Sequence, residues 1–134
     1  MKIYICKKGY GSESLNFIED ENTFVGYGYG QSCCEDFGWR LAQEAFPASI
    51  IDGSHNDHHK NEDGLQNEYP GYKFDKSFKP VESDANGNGG EVTFRLIKDG
   101  APNLILTLYN YHNGYYGHGF TFTVKGKTEL DGCL

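Results

Sequence analysis

The chain has 134 residues, with 12 Lys and Arg against 19 Asp and Glu, for a formal net charge of −7. That balance excludes a protein that tracks phosphate backbones, which needs a basic surplus to displace condensed counterions. Aromatic residues make up 15% of the chain, ten Tyr and nine Phe among them, which excludes a disordered polypeptide and predicts one domain over residues 1–134 with a core that needs no staples.

In chain order, Ile3 and Ile5 alternate with Lys2, Tyr4 and Cys6 and predict a first strand ending at Lys8-Gly9. The apolar run before Lys7 and Lys8 is too short for a signal-peptide core. No stretch approaches the roughly 20 apolar residues of a membrane span. A cytoplasmic protein with Cys6, Cys33, Cys34 and Cys133 as reduced thiols is expected. Further strands are predicted near Leu15 to Ile18 and from Thr23 to Tyr29. Ser32-Cys33-Cys34-Glu35 has the form of a capping box, yet Phe37, Trp39 and Leu41 alternate with Asp36, Gly38 and Arg40. The segment is therefore read as strand through Leu41 and helix through Phe46. From Asp52 to Gly90 the chain is polar and is read as a long loop.

Glu91 to Lys98, Asn103 to His112 and Tyr115 to Lys125 read as strands. Asn113-Gly114 between the last two is the strongest two-residue hairpin signal, because both positions tolerate positive φ. That turn would pair Tyr111 with Tyr116, Tyr109 with His118, Thr107 with Phe120 and Ile105 with Phe122. A two- or four-residue turn at 99–102 would add Val92, Phe94 and Leu96 to the same face as the core side. Leu104, Leu106 and Leu108 would lie on the opposite face, partly covered by the 33–46 segment. The fold class is thus α+β, mainly β: a C-terminal three-stranded antiparallel meander plus N-terminal strands, with one or two short helices at most.

Metal chemistry is tested by spacing. Adjacent Cys33 and Cys34 diverge too far to chelate one tetrahedral zinc, and His112 and His118 fall on opposite faces of the predicted hairpin. His55, Asp57, His58 and His59 crowd one loop and form the best metal candidate. The tail of a metallo-β-lactamase motif that they imitate would need His at Gly53, in a much longer chain. Asp84-x-Asn86-x-Asn88-Gly89 imitates a calcium loop whose twelfth position is Arg95 instead of Glu. Gly26-Tyr27-Gly28-Tyr29-Gly30 lacks the residues of a phosphate loop. Glu35 beside Cys34 opposes thiolate formation, so no nucleophile is favoured and no catalytic residue is assigned.

What remains is the hairpin tip. Tyr111, His112, Asn113, Tyr115, Tyr116 and His118 gather rigid amphipathic side chains of the kind that mark interfaces. Tyr27 and Tyr29 are expected to face a partner as well.

Gln31-Ser32-Cys33-Cys34-Glu35, then Val92-Thr93-Phe94, then Leu108 through Tyr116 with Asn113-Gly114-Tyr115-Tyr116, resemble a family of small uncharacterised proteins of bacteriophages and bacteria. The likeness spans residues 15 to 124 as an order of motifs. It implies a phage or prophage setting and no catalytic residue or cofactor, and it favours strand over helix after Cys-Cys-Glu. The expected function is a non-enzymatic accessory or protein-binding module that contacts a host or phage protein, inhibition of the host being one form of it. Direct nucleic-acid binding and membrane association are not expected. The alternative is a metal-binding protein or metal-dependent hydrolase using His55, Asp57, His58 and His59 with Cys33 or Cys34.

Overall fold

The computed structural model describes residues 1–7, 13–29, 36–55, 63–84, 89–111 and 117–134. They form β1 (Lys2–Lys7), β2 (Glu13–Asp20), β3 (Thr23–Gly28), β4 (Asp36–Gln43), β5 (Ile50–His55), β6 (Gly64–Glu68), β7 (Lys73–Phe74), β8 (Val81–Asp84), β9 (Gly89–Ile97), β10 (Leu104–Tyr111), β11 (Gly119–Val124) and β12 (Lys127–Cys133). The first sheet has the order β12-β11-β3-β2-β1-β6 and the second β5-β4-β10-β9-β7, with β8 also on β9. Every strand pair is antiparallel.

The two sheets pack face to face because alternate residues of each make one apolar face. In the first sheet Ile3, Phe17, Val25 and Phe122 form one cross-strand row, and Ile5, Leu15, Tyr27 and Phe120 form the next. The second sheet answers with Phe37, Trp39 and Leu41, with Leu104, Leu106 and Leu108, and with Val92, Phe94 and Leu96. Phe17 meets Trp39 edge to face at 5.2 Å, and Phe94 meets Phe122 at 5.3 Å. Glu19 ties the sheets at their margin, its carboxylate accepting from the Phe74 amide at 2.9 Å and from Lys76 at 2.8 Å.

Several expectations are corrected. The fold is all β among the described residues: of residues 42–46, where the helix was expected, 42 and 43 continue β4, and 44–49 form turns closed by Phe46 N to Gln43 O at 3.0 Å and Ser49 N to Phe46 O at 3.0 Å. Trp39 and Leu41 continue as strand to Gln43 because their alternation buries one face. The expected loop over 52–90 contains most of β5 and all of β6, β7 and β8. β5, β6 and β8 are edge strands with exposed side chains on both faces, so they lack the apolar alternation that marks a half-buried strand.

The meander is also overturned. β9 and β10 do form a hairpin, but β10 pairs onward with β4, while β11 lies in the other sheet between β3 and β12. The expected pairs of Tyr109 with His118, Thr107 with Phe120 and Ile105 with Phe122 therefore do not form, and the Asn113-Gly114 turn lies outside the described residues. The β9–β10 turn has an odd length: Ala101 N bonds Lys98 O at 3.2 Å around Gly100, at φ 71°. Leu104 consequently faces Leu96, and the one-residue difference in register moves Leu104, Leu106 and Leu108 to the core side. Sheet one covers them, whereas residues 36–43 lie beside them in the same sheet. Another hairpin lay unrecognised at the C-terminal end, where Lys125 at φ 51° and Gly126 at φ 77° turn β11 into β12.

Candidate binding surface

The outward face of the second sheet carries a connected set of polar and aromatic side chains at one end. Strand register puts His55, Gly38, Tyr109 and Glu91 in one row across β5, β4, β10 and β9, with Asp36 opposite Tyr111 at the end of the sheet. Gly38 makes the row possible. A Cβ built there would lie 2.7 Å from the Tyr109 hydroxyl and 2.1 Å from Ser54 O, so a bare backbone is what lets the phenol lie across the strand. The Tyr109 hydroxyl thereby reaches His55 Nδ1 at 3.1 Å, and the same nitrogen stands 3.0 Å from Asp36 Oδ1.

A second group adjoins it. Arg40 donates to Glu91 Oε2 at 2.8 Å, and the Tyr111 hydroxyl donates to that same oxygen at 2.7 Å. The Tyr109 and Tyr111 rings stack at 5.3 Å with 23° between planes, and the Arg40 guanidinium lies 5.3 Å from the centre of the Tyr109 ring. Burial works against the Arg40 cation, but hydrogen bonds with Tyr111 and Glu91 outweigh it and hold its pKa above the ordinary value. Burial, reinforced by Glu91, raises the Tyr111 phenol, so it stays a neutral donor. Asp36, Arg40, His55, Tyr109 and Tyr111 bound an open depression of about 630 Å³ that continues along β5 past Ile50 and Ile51. Chemically it offers an aromatic surface edged by the Arg40–Glu91 ion pair and by the Asp36–His55 contact, an arrangement suited to recognition.

Tyr111 lies on this surface, half-buried. His112, Asn113, Tyr115 and Tyr116 lie outside the described residues, as do Asp57, His58, His59, Cys33 and Cys34 of the metal reading. His55 belongs to the surface just described. His118 is placed elsewhere: it is 3% exposed, stacked on Phe37 at 4.2 Å, with Nδ1 2.8 Å from Gly28 O. Tyr27 and Tyr29 are buried as well, against the expectation that they face a partner. The Tyr27 hydroxyl donates to Tyr109 O at 2.8 Å, and that of Tyr29 shares a hydrogen bond with the Ser54 hydroxyl. Burial, reinforced by Tyr29 and Tyr109, pushes the Tyr27 phenol far above its usual range. Among the described residues no three His, Cys, Asp or Glu are grouped so as to hold a metal ion.

Asp36, Arg40 and Glu91 were not singled out from the sequence. The signal available was Gly38, a glycine inside a strand pattern, which marks a place where another group approaches the backbone closely.

A family model matches residues 2–122, from the start of β1 to within β11. The chain belongs to the family described as Domain of unknown function (DUF7448). β12 lies beyond the stretch matched to DUF7448. No curated protein and no solved structure matches the chain. None of its described helices could cross a membrane, since the described residues form no helix.

Proposed function

We propose that residues 1–134 act as a single non-enzymatic binding module, of the phage or prophage accessory type, that engages a host or phage protein in the cytoplasm through the tyrosine-rich end of the second sheet. The observation that carries this reading is the stack of Arg40, Tyr109 and Tyr111, whose polar groups are matched by Glu91 and by His55, the latter held in turn by Asp36. Tyr and Arg are enriched among the residues that carry most of the binding energy at protein interfaces, and Tyr gives a large contact area at little cost in conformational freedom. Ile50 and Ile51, each 49% exposed, extend the surface with apolar area. His112, Asn113, Tyr115 and Tyr116 follow Tyr111 in the chain and belong to the same proposed contact.

The test is photo-crosslinking in the native host, with a photoreactive amino acid at position 115 and, as a control, at Lys98 on the β9–β10 turn. A defined protein adduct from position 115 that is absent from position 98 and lost in Tyr111→Ala is expected. Equal labelling from both positions refutes the reading.

A second reading, the metal-binding protein or metal-dependent hydrolase that uses His55, Asp57, His58 and His59, draws on one contact. Asp36 beside His55 Nδ1 resembles the carboxylate that orients a metal-bound imidazole. Elemental analysis of untagged protein that finds no stoichiometric transition metal removes it.

A further inference from the structure

At the opposite margin the two sheets stand apart around a second hollow of about 760 Å³, with Phe78, Pro80, Phe122, Val124 and Leu130 as its apolar lining. Both edge strands are irregular here. On the second sheet, β7 and β8 are separated by residues 75–80, which leave the sheet opposite Arg95; Phe78 packs beneath the Arg95 guanidinium at 4.4 Å. On the first sheet, Phe122 pairs with Leu130 and Thr123 with Thr128, so Glu129 is the extra residue of a bulge. Glu82 of β8 reaches across to β12, and its carboxylate oxygen lies 3.8 Å from where a Cβ on Gly132 would be. A hollow of this size with a largely apolar lining suits a small molecule.

Charge selects among small molecules. Lys76 is already spent on Glu19 at 2.8 Å. Lys79, Glu82 and Glu129, all exposed, also line the cleft, and none of the three side chains has an ion pair or a hydrogen bond among the described residues. Two carboxylates thus stand against one ammonium in a chain of net charge −7, and both the local and the overall field favour a cation. We propose that this cleft binds a small organic amine with an apolar body, its ammonium at Glu82 and Glu129 and its apolar part on Phe78, Phe122 and Leu130. The hollow falls within the roughly 300–1,000 Å³ typical of ligand sites. It lies apart from the surface around Tyr109, so either assignment stands or falls without the other.

The full chain is titrated with 2-phenylethylamine and, separately, with 3-phenylpropionate and 2-phenylethanol, by calorimetry and by amide chemical shifts. The expected result is saturable binding of the amine that shifts the Phe122, Val124 and Leu130 amides, with the acid and the alcohol at least about tenfold weaker. The double variant Glu82→Gln, Glu129→Gln, with unchanged thermal unfolding, is expected to lose that preference. The proposal is overturned by the absence of saturable amine binding, by shifts confined to another region, or by a folded double variant that binds the amine as the wild type does. Should the double variant fail to fold, equal binding of the alcohol and the amine by the wild-type chain overturns it as well.

Discussion

Tyr27 in β3 with Tyr29 just past its end, and Tyr109 with Tyr111 at the end of β10, are the same local pattern, two tyrosines with one residue between them. Their fates differ. The first pair points between the sheets and is fully buried, with its hydroxyls bonded to Tyr109 O and to Ser54. The second pair points away from the core, with Tyr109 buried beneath Arg40 at 8% exposed and Tyr111 half-buried, and its hydroxyls are bonded to His55 and Glu91. Identical alternation thus yields an inward pair and an outward pair, and the deciding quantity is which face of each strand meets the other sheet. A buried phenol must find its partner within the protein, since an unmatched hydroxyl in the core is costly. An outward phenol can turn the same group toward recognition.

The comparison can be broken most sharply by truncation. Tyr29→Ala is expected to cost about 3–5 kcal/mol in urea unfolding, because a fully buried aromatic leaves a cavity, whereas Tyr111→Ala should cost far less. Similar losses at the two positions would mean that the two pairs are not distinct. Gly38→Ala comes next. The new methyl group meets Ser54 O and displaces the Tyr109 hydroxyl from His55, at an expected cost of about 1–3 kcal/mol, and ring contacts between Tyr109 and His55 should vanish from NOE spectra.

Alkaline titration sharpens the comparison further. The Tyr27 and Tyr111 phenols are both raised above the ordinary value of 10.0, and in each case burial is the first cause. The unfolded chain therefore loses protons first, and stability should fall as pH rises above 10.0, through the window between the unfolded and folded values. Tyr27→Phe should flatten that fall more than Tyr111→Phe, as measured by denaturant unfolding at a series of pH values. The smallest effect is expected of Arg40→Ala. Its partly exposed pair with Glu91 contributes about 1 kcal/mol at most, so a surface role predicts near-wild-type stability with loss of the position-115 adduct.

The strands of the core were largely legible. Ile3 and Ile5, Val25, and Phe94, Phe120 and Phe122 announce themselves by alternation, and each of these is buried, whereas Tyr27, expected to face a partner, is buried with them. Partnership was not legible. Asn113-Gly114 is a local signal, and it says nothing of whether the chain on either side remains in one sheet; β10 and β11 pair in different ones. Register failed at Gly100 because a turn of odd length and one of even length share the same residues, yet they present opposite faces. Ile50 to His55 and Val81 to Asp84 were hidden because a strand exposed on both faces needs no apolar alternation. Of the candidate surface, Tyr111 was found by its composition and His55 for another chemistry. Asp36, Arg40 and Glu91 come together only across three strands.

By itself the sequence determined what is local: an acidic, aromatic-rich chain whose alternating segments must become strands, since period-two burial is a property of consecutive residues. The tertiary structure decided which strands became neighbours and hence which tyrosines point inward. Those choices depend on pairing residues far apart in the chain, such as Tyr27 with Phe120 and Gly38 with both Tyr109 and His55. No local signal encodes such pairings, because the energy that selects them comes from burying two sheets against each other.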